Sequence, residues 1–291
     1  QTTDAKKNTT TIVYEFNDIP ALISEENSPG RSYLYPHLLV IAKSYEMNGE
    51  KITLFNSTAD LYKWYKSLID QMKDDPEQLK SKVTELTAKA KTDEEKIKNI
   101  YYWVQDNIRY IAFEDGIAGF KPDDSQNVFK KRYGDCKGMA NLIKQMMIIA
   151  GFDARLTWIG TKHIAYDYSI PSLSVDNHMI CTLLYKGKQI YLDGTEKNIS
   201  LEEYAERIQN KETLIENGDT YIIGKIPTVQ ASQNKETFRA KLVVDGEKLK
   251  GSCKRTYLGE SRTEFQNIYN SFETDKKAEA LERYLSKNDK N

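Results

Sequence analysis

The run Tyr133-Gly134-Asp135-Cys136-Lys137-Gly138 constrains this chain more than any other stretch, because a turn and cap signal is followed at once by a helical period. Apolar residues recur at Met139, Leu142, Ile143, Met146, Met147 and Ala150, the spacing of a helix with one buried stripe, and Gly151 ends it. Cys136 therefore falls in the first turn, where unpaired backbone N–H groups and the helix dipole favour a thiolate over a thiol. Positions 136, 139, 143 and 147 share one face, so the sulfur points toward whatever the helix packs on.

That partner reads as a sheet. Ile180–Leu184 and Gln189–Leu192 have strand character and flank Tyr185-Lys186-Gly187-Lys188, a tight hairpin in which glycine supplies a positive φ. A two-residue loop at Lys186-Gly187 sets Ile180 opposite Asp193 and makes His178 the diagonal neighbour of Asp193, about 7 Å away between Cβ atoms. A loop one residue longer would put the two on opposite faces. A thiol, an imidazole and a carboxylate in that order are the parts of an activated cysteine nucleophile: Cys136 attacks, His178 takes its proton and Asp193 orients the ring.

These residues resemble the transglutaminase-like superfamily, whose fold is related to that of papain. The resemblance is carried by Tyr-Gly-Asp-Cys-Lys, by Asn177-His178 opening a strand, and by Tyr191-Leu192-Asp193-Gly194-Thr195 closing the hairpin. Upstream, the run from Ile100 to Tyr110 is similar to the helix that precedes the nucleophile in that family, so the likeness extends from about residue 90 to 200. Pro20–Glu26 and Val244–Gly251 resemble a bacterial branch, common in Bacteroidetes, with β-rich domains on both sides of the core. Many members of that branch carry Asp where this chain has Gly138, and Pro where it has Gly194.

The resemblance implies an α+β fold with the nucleophile helix packed on an antiparallel sheet, and β-rich flanking regions. It implies Cys136, His178 and Asp193 as the catalytic residues of a cysteine protease, amidase or transglutaminase that needs no cofactor and no metal. Its partners would be protein or peptide substrates, cell-wall peptides among them. The competing reading is a binding or scaffold module of the cell envelope that keeps the fold without turnover. A third, metal binding through the same three side chains, would leave the first-turn cysteine unexplained. For the oxyanion donor beside the Cys136 N–H, Tyr110 is the first choice and Gln126 the alternative.

Composition narrows the classes. With 291 residues and 39% hydrophobic residues the chain can bury a sizeable core. Its 42 basic and 43 acidic residues leave a net charge of −1 and no global electrostatic case for nucleic acid. Lys80, Lys82, Lys89 and Lys91 alternate with Glu77 and Glu85 as a solvated helix face does. No apolar run approaches the roughly 18 residues that span a bilayer. A start at Gln rather than Met suggests a processed or trimmed chain and, with the family, a periplasmic or secreted location.

Along the chain, residues 1–57 read as the end of an N-terminal β-rich domain, 58–205 as the core with its preceding helices, and 206–291 as an incomplete C-terminal β-rich domain. Helices are expected over Ala59–Met72, over Glu77–Ala90 and after the Thr92/Glu95 capping signature, with a helical stretch over Leu201–Gln209. A hairpin turning at Asp245-Gly246 follows, then a charged helical run over Ser261–Leu285. Cys181, on the opposite face of the His178 strand, reads as core filler and Cys253 as a plain strand residue. His37 and His163 lack partners for catalysis, and Tyr101 and Trp103 read as core.

Overall fold

Residues 2–4, 9–23, 25–26 and 28–286 are described by the computed structural model. Ser24 of the Pro20–Glu26 motif lies outside them. The N-terminal part holds two short antiparallel hairpins, β1 (Thr2–Asp4) with β2 (Thr9–Thr11) and β3 (Ser44–Met47) with β4 (Glu50–Thr53), and between them the one-turn helix α1 (Arg31–Leu34).

Helix α2 (Thr58–Ile69) starts where the Ser57 hydroxyl and the Asp60 carboxylate cap each other's backbone N–H groups, and it buries Leu61, Tyr62, Tyr65 and Leu68. Helix α3 (Glu77–Thr87) buries Leu79 and Val83, while its lysines pair locally, Lys80 with Glu77 and Lys82 with Glu85. Helix α4 (Asp93–Asn107) begins as the capping signature requires, Thr92 Oγ1 accepting from Glu95 N at 3.1 Å. Its stripe Ile97, Ile100, Tyr101 and Val104 is buried. The Glu95 carboxylate closes back on Lys91 N rather than on Thr92 N.

A short parallel pair, β5 (Arg109–Tyr110) and β6 (Tyr133–Gly134), brackets helix α5 (Ser125–Lys131) and leads into α6 (Cys136–Ile149). Gly151, at φ +90°, turns the chain out of α6. Beyond it run β7 (Asp153–Ile159), β8 (His178–Tyr185), β9 (Lys188–Leu192), β10 (Glu212–Asn217) and β11 (Thr220–Lys225). They form one antiparallel sheet in the order β11-β10-β7-β8-β9.

Helix α6 packs on β7 and β8, with α3 and α4 also against it. Two apolar clusters result. One joins Ile100, Val104, Leu142, Ile143 and Met146 to Leu183 and Leu192. The other gathers Tyr62, Tyr65, Ala140, Leu156, Trp158 and Met179 around Cys136. The fold is thus α+β, a helix-on-sheet core with hairpin-rich flanks.

Three expectations change. The sheet does not end at residue 205: β10 pairs with β7 in the register Thr213↔Ile159 to Ile215↔Thr157, so the core sheet runs on to Lys225. Leu201–Gln209 is not a helix but turns ending in one 3-10 turn, Glu206–Ile208. Glu202 there has φ +65°, a left-handed conformation that an α-helix cannot contain. The long hairpin of β12 (Lys235–Asp245) and β13 (Lys248–Leu258) turns at Gly246-Glu247, one residue later than expected, with Gly246 at φ +63°. After it, the charged run is two helices, α7 (Glu260–Ser271) and α8 (Lys277–Ser286).

Candidate active site

The first turn of α6 is built by Asp135, whose Oδ1 accepts from Gly138 N at 2.8 Å as N-cap. Its Oδ2 holds the Lys137 ammonium at 2.5 Å, and only 8% of either side chain is exposed. Cys136 is buried next to this pair. Gly138 is needed for the close approach of α5: a Cβ there would lie 2.9 Å from Val128 Cγ2.

The second half of the site comes from the β8–β9 hairpin. Lys186 and Gly187 both take positive φ, 50° and 74°, the two-residue turn whose twist matches its strands. The register then runs from Tyr185↔Lys188 to Cys181↔Leu192 and leaves Asp193 just past β9, opposite the start of β8. His178 Nε2 donates to Asp193 Oδ2 at 2.8 Å, with 5% of each side chain exposed. The two-residue loop thus brings His178 and Asp193 together.

With Nε2 committed to Asp193, Nδ1 is the ring nitrogen left over, and His178 and Cys136 line one cavity. Burial opposes the imidazolium of His178, but the Asp193 carboxylate and then Cys136 outweigh it and raise the ring to about 9. Asp193 is likewise penalised by burial, yet His178, Arg207 and Thr195 together pull it down to about 2. The pair therefore stabilises the charge that a proton transfer from the thiol would place on the ring.

Arg207, from the 3-10 turn, is a residue that sequence reasoning missed. Its Nη2 donates to Asp193 Oδ2 and to Thr195 Oγ1, both at 3.0 Å, while Nε holds Glu196 at 2.6 Å. The other Asp193 oxygen, Oδ1, accepts from Thr195 N at 3.1 Å and from its hydroxyl at 2.7 Å. Tyr101 donates to the Asp193 carbonyl at 3.1 Å, so this core tyrosine also fixes the backbone at the site. No pattern in the sequence marks Arg207, a lone arginine in a stretch that reads as helix.

The remaining candidates separate cleanly. The β5–β6 pairing sets Tyr110 beside Gly134, two residues before Cys136, and burial followed by the nearby Cys136 and Asp135 raises its phenol. Gln126 is occupied elsewhere, its side chain bridging Asp75 N and the Lys73 carbonyl. Cys181 is enclosed in the core, and burial pushes its thiol up to about 12. Cys253 is exposed on β13. His37 meets Tyr166, and the His163 backbone carbonyl accepts from Ser32 Oγ. Among the described residues no group of three His, Cys, Asp or Glu side chains is arranged to hold a metal ion.

A cavity of about 280 Å³ opens on Cys136 and His178 and is lined further by Tyr65, Phe120, Trp158 and Asp176. No helix among the described residues is long and apolar enough to cross a membrane.

Residues 80–179 match the model of the transglutaminase-like superfamily core, and this part of the chain belongs to that superfamily. The match includes Cys136 and His178 and stops short of Asp193. No curated protein matches the chain. Among solved structures the chain is similar to a candidate protease from Parabacteroides distasonis ATCC 8503, with 15% identity and a TM-score of 0.48 over 72% of this chain and 42% of that one. A candidate cysteine protease from Cytophaga hutchinsonii is similar at 16% identity and a TM-score of 0.34, over 44% of this chain and 42% of that one. The chain thus spans less than half the length of either structure.

Proposed function

We propose that this protein is a cysteine-dependent acyl-transfer enzyme acting on amide or peptide bonds. The observation that carries the reading is the buried His178 ring held by Asp193 through Nε2, in the cavity that Cys136 at the start of α6 also lines. Cys136 attacks the carbonyl, and its proton passes to His178 Nδ1. The tetrahedral oxyanion takes hydrogen bonds from the Cys136 backbone N–H and the Tyr110 hydroxyl. Collapse to a thioester expels the amine, which leaves with the proton from His178, and water or a second amine then releases the acyl group.

Asp193 fixes the ring's tautomer and balances the imidazolium. Arg207 and Thr195 position Asp193, and Arg207 Nη2 also lies 3.2 Å from His178 Nε2. Water as acceptor gives a protease or amidase, and an amine gives a transglutaminase. A periplasmic or secreted location, expected from the resemblance of the flanks to that bacterial branch, is part of this proposal.

The test is turnover of glutamine-containing and cell-wall peptides, with and without a primary amine, by the wild type and Cys136→Ala. Activity lost in Cys136→Ala is the expected result. Equal activity in both proteins would overturn the mechanism, and a wild type that turns over none of them would favour the scaffold reading.

A further inference from the structure

The cavity beside Cys136 is lined by a carboxylate, Asp176, that the proposed triad does not use. Asp176 lies on the loop before β8, and both of its oxygens accept from the Tyr65 hydroxyl, each at 2.8 Å, while Oδ2 also accepts from Tyr168 at 3.0 Å. Among the described residues no Lys, Arg or His forms an ion pair with it. The ammonium of Lys137 lines the same cavity, but it is already paired with Asp135, and Glu114 adds a second carboxylate to the lining.

Two tyrosine hydroxyls need only an acceptor, and a backbone carbonyl or an amide side chain would serve them without a charge. A carboxylate kept there without a cation costs the protein desolvation free energy, because two neutral donors do not replace its hydration. Burial accordingly raises Asp176 to about 7 even though both tyrosines act in the opposite sense. A bound cation would remove that penalty.

The walls suit a cation too. Tyr65, Trp158 and Phe120 give the cavity an aromatic lining. Aromatic faces attract an ammonium while tolerating the methylenes that carry it. The volume fits one side chain or chain terminus rather than a large ligand.

We propose that the Asp176–Tyr65–Trp158 end of this cavity is a subsite for a primary ammonium group of the acyl-donor substrate, so that the enzyme selects peptides with a free amine close to the bond attacked. This rests on the reading of Cys136 as the nucleophile. The ammonium stays protonated on Asp176 and so is a recognition group, not the attacking amine. Its source is either a free peptide N-terminus or an amine-bearing side chain.

The test compares alkylation of Cys136 by chloroacetamides ending in an ammonium with hydroxyl-ended analogues of the same length, on arms of two, three and five carbons. The wild type should favour the ammonium probe of the best-fitting arm by about tenfold, the scale of one charge-assisted contact. In Asp176→Asn that preference should fall to about one. A wild-type ratio near one on every arm would overturn the subsite, and this measurement needs no variant.

Peptide turnover separates the sources: N-acetylation abolishes the preference if the N-terminus is read, and replacing lysine by norleucine abolishes it if the side chain is read. Calorimetric titration of Cys136→Ala with n-pentylammonium and with n-pentanol keeps the two readings apart. Ammonium-selective binding with an unreactive Cys136 in the wild type would uphold the subsite and refute the nucleophile. An alkylated Cys136 with no ammonium preference and no ammonium binding would do the reverse.

Discussion

Arg207 donates to the same oxygen of Asp193, Oδ2, that receives the His178 ring, at 3.0 Å against 2.8 Å. Two donors converging on one oxygen, with Thr195 holding the other, leave the carboxylate a single orientation. Arg207→Gln removes a charged hydrogen bond of about 1.5–3 kcal/mol from that arrangement. The expected result is a fall in kcat/KM of about tenfold to a hundredfold. The Cys136 alkylation rate at neutral pH should fall with it, and a purely structural role would leave that rate unchanged.

The His178–Asp193 pair predicts how stability follows pH. His178 is raised to about 9 from 6.5, so its contribution is complete below about 6.5 and is lost as pH rises through 9. Asp193 is lowered to about 2 from 3.8, so its contribution is complete above about 3.8 and is lost as pH falls through 2. Urea midpoints should therefore decline between about pH 6.5 and 9, and His178→Gln should flatten that decline. An unchanged slope in the variant would show that other groups cause it. If the thiolate–imidazolium pair is the active form, kcat/KM should also lose activity through about pH 9, and Asp193→Asn should move that limb to lower pH.

Much of this geometry was legible because it follows from local rules. A two-residue Lys186-Gly187 loop fixes the strand register, and register alone brings His178 to Asp193. The first-turn position of Cys136 follows from Asp135 and the apolar period behind it. What was missed depends on non-local packing. The Leu201–Gln209 stretch has helical spacing, yet Glu202 adopts a positive φ and the segment folds as turns that deliver Arg207 to Asp193. The β10–β11 hairpin has a readable signal in Asn217-Gly218 between apolar runs, but only the sheet shows that it belongs to the core. Asp176 is an ordinary loop aspartate in the sequence, and only the fold brings Tyr65 and Tyr168 to it.

The two glycines that depart from the branch pattern have a packing reason. A Cβ at Gly138 would lie 2.9 Å from Val128 Cγ2, and one at Gly194 the same distance from Ile143 Cδ1. Gly138→Ala gains about 1 kcal/mol of helix propensity but costs about 1–3 kcal/mol in overpacking. The net effect expected in urea unfolding is destabilisation, with Val128→Ala in the same chain recovering part of it. A simple gain in stability from Gly138→Ala would refute the contact.

The three cysteines offer a control within one chain. Cys136→Ala and His178→Ala should each abolish turnover, whereas Cys181→Ala should retain it and lose only packing, because Cys181 is enclosed in the core. Asp193→Asn should lose the tautomer that presents Nδ1 to the sulfur. That defect reaches about ten-thousandfold in serine triads and should be milder where the nucleophile is a thiolate. Steady-state kinetics on one responsive peptide ranks all four variants, and a Cys181→Ala defect as large as that of Cys136→Ala would contradict the assignment.

Asp135 does two things at once, capping α6 through Gly138 N and neutralising Lys137 in a place where 8% of either side chain is exposed. Losing a cap costs about 0.5–2 kcal/mol, and leaving a buried charge without its partner costs about 3–5 kcal/mol. Asp135→Ala should therefore destabilise the protein by more than any cap loss alone. Lys137→Met removes the stranded cation, so the double variant should be more stable than Asp135→Ala, leaving a deficit close to that of the cap. Urea unfolding of the four proteins in this cycle measures the coupling between the two side chains directly. Additive losses would mean that Lys137 is satisfied without Asp135, and the first turn of α6 would then owe its position to the cap alone.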